Sequence, residues 1–337
     1  MIMAGPSRKI WGFELAVVVV GLLAIAQQSM QLGSNHPMHG IIQRINSNGP
    51  YIGLVLVSDN NEQALLDSNA FTQAEDQISS VELAGRKFKI GTIKGNGVIY
   101  VKTGESSVNA AQTVQILLAS FDIKGIVHVG SAGAVNDSLS IGDVVVPKKV
   151  AFTGIWKWLK DGAKGGQLVF SDYNYPEGDN SLGSISFQPT TLYATGKNKT
   201  TIFWLPLNSA WFDTASQLEN VELQQCISTK KCLPRAPVIA KGLSSSTADI
   251  YVQNAAIREF IYTHLKASTV DEETAAVTLV ALSNGVENII VFRGISNTAG
   301  GSTAYKSYSY LGSVNAVNVA VEFIGAVGTS KASIAAY

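Results

Sequence analysis

Two stretches decide how this chain is read: Val270-Asp271-Glu272-Glu273-Thr274-Ala275-Ala276, and Val291-Phe292-Arg293-Gly294-Ile295-Ser296-Asn297-Thr298-Ala299-Gly300-Gly301. The first is a helix opening rich in carboxylates. The second continues an apolar strand, Asn288–Phe292, into a polar, glycine-rich turn. Open α/β sheets bind ligands beyond their strand ends. Glu273 and Asn297 are therefore expected to converge on one ligand.

Working outward, strands alternate with helices. Tyr51–Val57 reads as a buried first strand followed by a polar turn, Ser58–Asn61. Gly97–Lys102 is a second strand. The turn Thr103–Ser107 leads into a helix over Ala110–Phe121, with Val114, Leu117, Leu118 and Phe121 on one face. Gly125–Val129 is a strand closed by the small-residue turn Gly130–Ala134. Ile141–Val150 is a strand with a bend at Pro147. Ala151–Thr200 is aperiodic and long enough to be an insertion covering a site or an interface. Thr201–Leu205 and Pro237–Gly242 return to strand. Ser209 is expected to cap a helix reaching about Asn220. Asn254–Leu265, Asp271–Leu282 and Val314–Gly328 are helical. This order implies one mixed α/β sheet domain, over residues 49–328, with a tail at 329–337.

The 337 residues carry equal numbers of Lys+Arg and Asp+Glu, 25 each, with no basic run, which argues against a nucleic-acid partner. The N-terminus reads as a targeting segment. Arg8 and Lys9 precede the apolar run Leu15–Ala26, which ends Ala24-Ile25-Ala26. A helix spanning a bilayer needs about 20 residues, so the run fits a cleaved signal peptide over 1–26 better than an anchor. No membrane association is expected once it is removed. Residues 27–48 are polar and read as an exposed lead-in. A secretory route exposes Cys226 and Cys232 to oxidation, and a bridge between them would close a small loop. Free thiols or a metal fragment are the alternatives, but no His or second Cys pair lies near them. Asn136 and Asn198 each open an acceptor sequon for glycosylation.

At the two quoted stretches the chain resembles the nucleoside phosphorylase and nucleosidase superfamily, which reads roughly M-E-x-A-A and R-x-x-S-D there. The likeness runs from about Tyr51 to Ile324. Four features are similar to its plant branch of bark and vegetative storage proteins and wound-inducible relatives. They are His128–Gly133, Gly154–Trp158, the segment from Cys226 to Cys232-Leu233-Pro234-Arg235-Ala236-Pro237, and the turn Ala299–Gly301. The resemblance implies a three-layer sandwich with a central mixed sheet, a homo-oligomer, a purine nucleoside as ligand, and a secreted protein of vacuole or extracellular space. It implies no cofactor. Phosphate is the co-substrate if the nucleophile is not water.

Residue by residue, Glu273 matches the carboxylate that accepts from the ribose 2′ and 3′ hydroxyls. Glu272 stands where the family has Met beside the sugar. Asn297 stands at the acid that protonates the purine; an amide can donate a hydrogen bond but cannot deliver a proton, although one branch of the superfamily uses Asn here to hold 6-oxopurines. Tyr251 matches the aromatic that stacks on the base, and reads equally as a core aromatic. Ser131 matches a phosphate contact, and His128 occupies a position that is Arg in hexameric phosphorylases. The turn at Gly104 matches an anion- or water-binding loop, into which Glu105 brings a negative charge. Arg293 matches a strand-end Arg that either touches ligand or pairs a buried carboxylate. Glu62, with a one-residue ambiguity against Asn61, is the candidate to activate water, and otherwise an ordinary helix-start carboxylate. Substitutions at Glu272, Asn297 and His128 imply a storage-type protein with weak or absent catalysis. The retained Glu273, Ser131 and Tyr251 keep an active phosphorylase or nucleosidase, acting on purine-type nucleosides such as cytokinin ribosides, as the alternative.

Overall fold

The computed structural model describes residues 36–75, 78–158, 168–169, 184–218, 221–300 and 305–334. The signal segment 1–26 lies outside them, as do residues 159–167 and 170–183 of the 151–200 insertion. So does the last part of the tail.

Eleven strands form one mixed sheet: β1 Tyr51–Leu56, β2 Phe71–Gln73, β3 Ser80–Leu83, β4 Arg86–Ile93, β5 Asn96–Lys102, β6 Ile123–Ala134, β7 Val144–Phe152, β8 Leu205–Pro206, β9 Ile239–Thr247, β10 Thr269–Asp271 and β11 Ile289–Thr298. The helices are α1 His39–Asn46, α2 Asp59–Asp67, α3 Ser107–Ser120, α4 Ser209–Ser216, α5 Ala255–Leu265, α6 Thr274–Ser283 and α7 Tyr305–Ile334. The centre of the sheet, β5-β1-β6-β11, is parallel, and β4 closes one side antiparallel.

Parallel strands buried on both faces are apolar at every position, and the alternation sorts their side chains into two cores. Leu54, Leu56, Val127, Val129, Ile290 and Phe292 pack under α2, α4 and α7. Val55, Ile126, Ile289 and Val291 pack under α1, α3 and α6. This is the expected three-layer arrangement. The stretch Tyr308–Gly328 of α7 is apolar and long enough to cross a membrane, yet its Ala316, Val319 and Phe323 are buried against the sheet.

Four details depart from the expectations. The small-residue run at 130–134 is not a turn, because β6 continues through it. There it leaves β1 and pairs with β11 and with β10. β11 likewise runs on to Thr298 and also pairs with β7. With β9 bridging β7 and β10, five strands close into a ring at one end of the sheet. The lead-in is not wholly exposed, since α1 buries Ile42 and Ile45 in the second core. Asn208, not Ser209, caps α4 by accepting from the Trp211 N–H at 2.8 Å, and that helix stops at Ser216. The tail boundary at 329 falls inside α7.

Phe292 is fully buried at the centre of β11, its ring 5.5 Å from that of Phe323 on α7. Phe292→Ala is expected to cost about 3–5 kcal/mol in urea unfolding. A loss under about 1 kcal/mol would mean that this sheet–helix contact does not hold the layers together.

Candidate functional site

The carboxyl ends of β1, β6 and β11 lie side by side, and a cavity of about 170 Å³ opens beyond them. Val57, Ser58 and Asn60 come from the loop after β1 and the start of α2. Ser131–Gly133 come from β6, and Ser296, Asn297 and Ala299 from the end of β11. Asp271, Glu272 and Glu273 come from the β10–α6 junction, Glu105 from the loop after β5, and Ile250–Val252 from the segment after β9. Of the residues singled out in the sequence, the fold therefore brings Glu273, Glu272, Asn297, Tyr251 and Ser131 together. Gly104 is next to the lining residue Glu105; its φ of +78° marks the sharp turn there.

Behind the wall sits Arg293, fully buried. A buried guanidinium is tolerated only when its N–H groups are all satisfied. Nε donates to Thr274 Oγ1 at 2.8 Å, and one terminal nitrogen to the Ser131 carbonyl at 3.2 Å. The other reaches His128 Nε2 at 2.7 Å and Glu273 Oε2 at 3.2 Å. Asp271 Oδ2 lies 3.4 Å from Nε. His128 is completed from the other side, with Nδ1 3.0 Å from the Val55 carbonyl. Nδ1 therefore carries the proton and Nε2 accepts from Arg293. Burial, and then the guanidinium, hold the His128 pKa well below its ordinary value. Gly130 is required here: a Cβ on it would come within 1.9 Å of the Arg293 guanidinium.

Two sequence expectations are corrected by this arrangement. His128 does not face a phosphate or water subsite but is spent on Arg293 and the Val55 carbonyl, and of the two readings of Arg293 the pairing with buried carboxylates is the one that holds. Nor does Glu62 reach the cavity. One turn into α2, it faces β4 and the end of β5, 3.2 Å from Lys89 and 2.9 Å from Lys102. Asn61 turns inward instead. Its Oδ1 accepts from the Ser58 N–H, and its amide donates to Ser313 Oγ at 3.0 Å.

The β10–α6 junction explains how Glu273 is aimed. Asp271 Oδ1 accepts from Thr247 Oγ1 and from the N–H groups of Glu273 and Thr274, and Oδ2 accepts from Thr274 Oγ1. The helix start is thereby locked, and Glu273 is held 4% exposed on the cavity wall. Its pKa is pushed up to about 7 by burial, with Asp271 and Glu272 adding to the rise. Arg293 and the Ser106 N–H oppose it. Asp271 was legible only as one more helix-start acid. Burial raises Glu272 as well, helped by Glu105, Asp249 and Asp271. Asn297 is 8% exposed, and its Oδ1 accepts from Ser296 Oγ at 2.9 Å. Its amide nitrogen donates to no described residue.

Away from the cavity, Cys226 and Cys232 form a disulfide across a short hairpin, Cys226–Ser228 with Lys231–Cys232. Asn198 is exposed. Asn136 is buried, and its side-chain amide donates to Ser268 Oγ at 3.4 Å, so a glycan there would have to open the fold locally.

The sequence model of the phosphorylase superfamily matches residues 51–330. Bark storage proteins A and B of Populus deltoides are each 41% identical over 310 residues, covering 90% of this chain and 98% of theirs. Among solved structures, a 5′-methylthioadenosine/S-adenosylhomocysteine nucleosidase from Colwellia psychrerythraea in complex with adenine superimposes with a TM-score of 0.58. It is 20% identical, and the match covers 82% of this chain and 96% of that one.

The Glu273 environment gives stability a pH dependence. Its folded pKa lies above the ordinary 4.5, so the native state binds the extra proton. That contribution is complete below about pH 4.5 and is lost as pH rises through 7, up to about 3 kcal/mol. Urea unfolding between pH 4.5 and 7.5 is expected to show this decline in the parent and a flatter one in Glu273→Gln. Equal declines would place the proton elsewhere.

Proposed function

This chain belongs to the phosphorylase superfamily, and on that premise we propose that it is a plant storage-type protein, a nitrogen reserve of the bark or vegetative kind, whose nucleoside cavity binds without efficient cleavage. The storage reading is supported by the two Populus relatives, which match over nearly their whole length. The single observation that carries the catalytic part is Asn297. The side chain on the cavity wall where the family places a proton donor is an amide, its oxygen already taken by Ser296.

Cleaving an N-glycosidic bond needs a held sugar, a leaving base that is protonated or hydrogen-bonded, and a nucleophile on the opposite face. The first requirement is met in chemistry: the Glu273 carboxylate, when ionised, accepts two hydroxyls in charge-assisted bonds. Tyr251 lies at the mouth and offers its ring to a base. The Colwellia neighbour, which holds adenine, supports a purine in this place. The second requirement is reduced to one amide N–H. For the third, neither residue read from the sequence serves: Glu62 is engaged by two lysines and the inward-facing Asn61 is uncharged. Ser131 remains a polar contact, but the turn at Gly104 presents Glu105, which repels phosphate. The reading carries with it a homo-oligomer deposited through the secretory pathway, in the vacuole or outside the cell.

Purine release from inosine, adenosine and methylthioadenosine, with and without phosphate, tests it. General acid assistance contributes about 10²–10⁴-fold, so Asn297→Asp is expected to raise release measurably, and more so when combined with Glu272→Met. Ordinary enzyme rates in the parent protein would refute the degenerate site and make Asn297 a working base-binding residue.

A further inference from the structure

The charge of the cavity wall is unbalanced in a way that nucleoside binding alone does not require. Four carboxylates line it: Glu105, Asp271, Glu272 and Glu273. Two of them, Asp271 and Glu273, are answered by Arg293 at 3.4 and 3.2 Å. Neither Glu105 nor Glu272 forms an ion pair with a lysine or arginine among the described residues. Asp249, a further acid close by, accepts from the Ser107 N–H at 2.7 Å, which leaves its charge in place. Arg293 cannot serve an incoming anion, because it is fully buried and its N–H groups are already directed at His128, Ser131, Thr274 and the two acids. In the same cavity Asn297, 92% buried by its 8% exposure, has an amide nitrogen that donates to no described residue. The pocket thus offers a hydrogen-bond donor to a ligand beside two carboxylates, Glu105 and Glu272, that no described lysine or arginine pairs.

We propose that this cavity selects a positively charged nucleoside, one bearing an ammonium group on its sugar, over neutral nucleosides and over nucleotides. The inference rests on the nucleoside reading above and adds the charge class of the ligand. Like charges held together in a partly desolvated wall repel, and a cation placed among them relieves the repulsion of every pair at once. Glu272 reports that repulsion: burial first, then Glu105, Asp249 and Asp271, push its pKa upward. A phosphate in the same space would add two more negative charges to it.

The test compares 5′-amino-5′-deoxyadenosine, protonated at neutral pH, with adenosine and adenosine 5′-monophosphate by calorimetry on the intact protein. At low ionic strength the amine is expected to bind at least about tenfold more tightly than adenosine, and the monophosphate more weakly than adenosine. Salt screens such contacts, so the ratio of amine to adenosine affinity should narrow as salt is raised, and narrow again in Glu272→Gln. If adenosine binds and the amine binds no better, the charge selection is refuted while the nucleoside reading stands. If neither binds, both fall together.

Discussion

One buried cation organises this molecule. Arg293 sits at the middle of β11 with no exposure to water, and every neighbour is chosen to make that tolerable. His128 is neutral and accepts, Ser131 gives a carbonyl, Thr274 a hydroxyl, and Asp271 and Glu273 give charge. These partners come from β6, β10 and α6, so the guanidinium ties together the strand that leaves the main sheet, the short strand that closes the ring, and the helix that faces the cavity. Removing one member of such a network strands the others without water, a loss of about 3–5 kcal/mol.

The same interaction sets the chemistry of the site. Arg293 faces inward and stabilises the ionised form of Glu273, while burial and two neighbouring acids work against it. The carboxylate is thereby left near the point of proton exchange at neutral pH instead of fully ionised. In the proposed reading Glu273 faces the sugar and Asn297 the base, so the base meets an amide where the family has a proton-donating acid. On the proposed reading binding and cleavage are separable: Glu273 and Tyr251, which would hold a nucleoside, lie on the wall, whereas Asn297 is an amide and Glu62 is engaged by lysines.

Much of the fold was legible because buried parallel strands are apolar without interruption. Tyr51–Leu56 and Ile289–Phe292 could hardly be anything else. What escaped was the length of β6 and β11. Their second halves, Gly130–Ala134 and Gly294–Thr298, are small and polar, the usual composition of a turn. Their real constraint is proximity: a Cβ on Gly130 would strike Arg293, and one on Gly294 would come within 1.9 Å of the Gly312 carbonyl oxygen on α7. Such a requirement is set by a partner far away in sequence, and no local pattern announces it. The site residues divide the same way. Glu273, Asn297 and Tyr251 lie on the cavity because strand ends and helix starts are locally readable. His128 and Glu62 were misplaced because their partners, Arg293 for one and Lys89 and Lys102 for the other, come from elements distant in the chain. Asn61 and Glu62 are adjacent in sequence, yet one helical step turns the first into the core and the second toward the lysines.

The central claim is that the cavity holds a nucleoside without breaking it. The most direct measurement incubates the protein with methylthioadenosine, isolates the complex by gel filtration, denatures it and chromatographs the released ligand. Intact nucleoside, recovered in proportion to protein, is the result this account predicts. Free adenine and sugar in its place would contradict it.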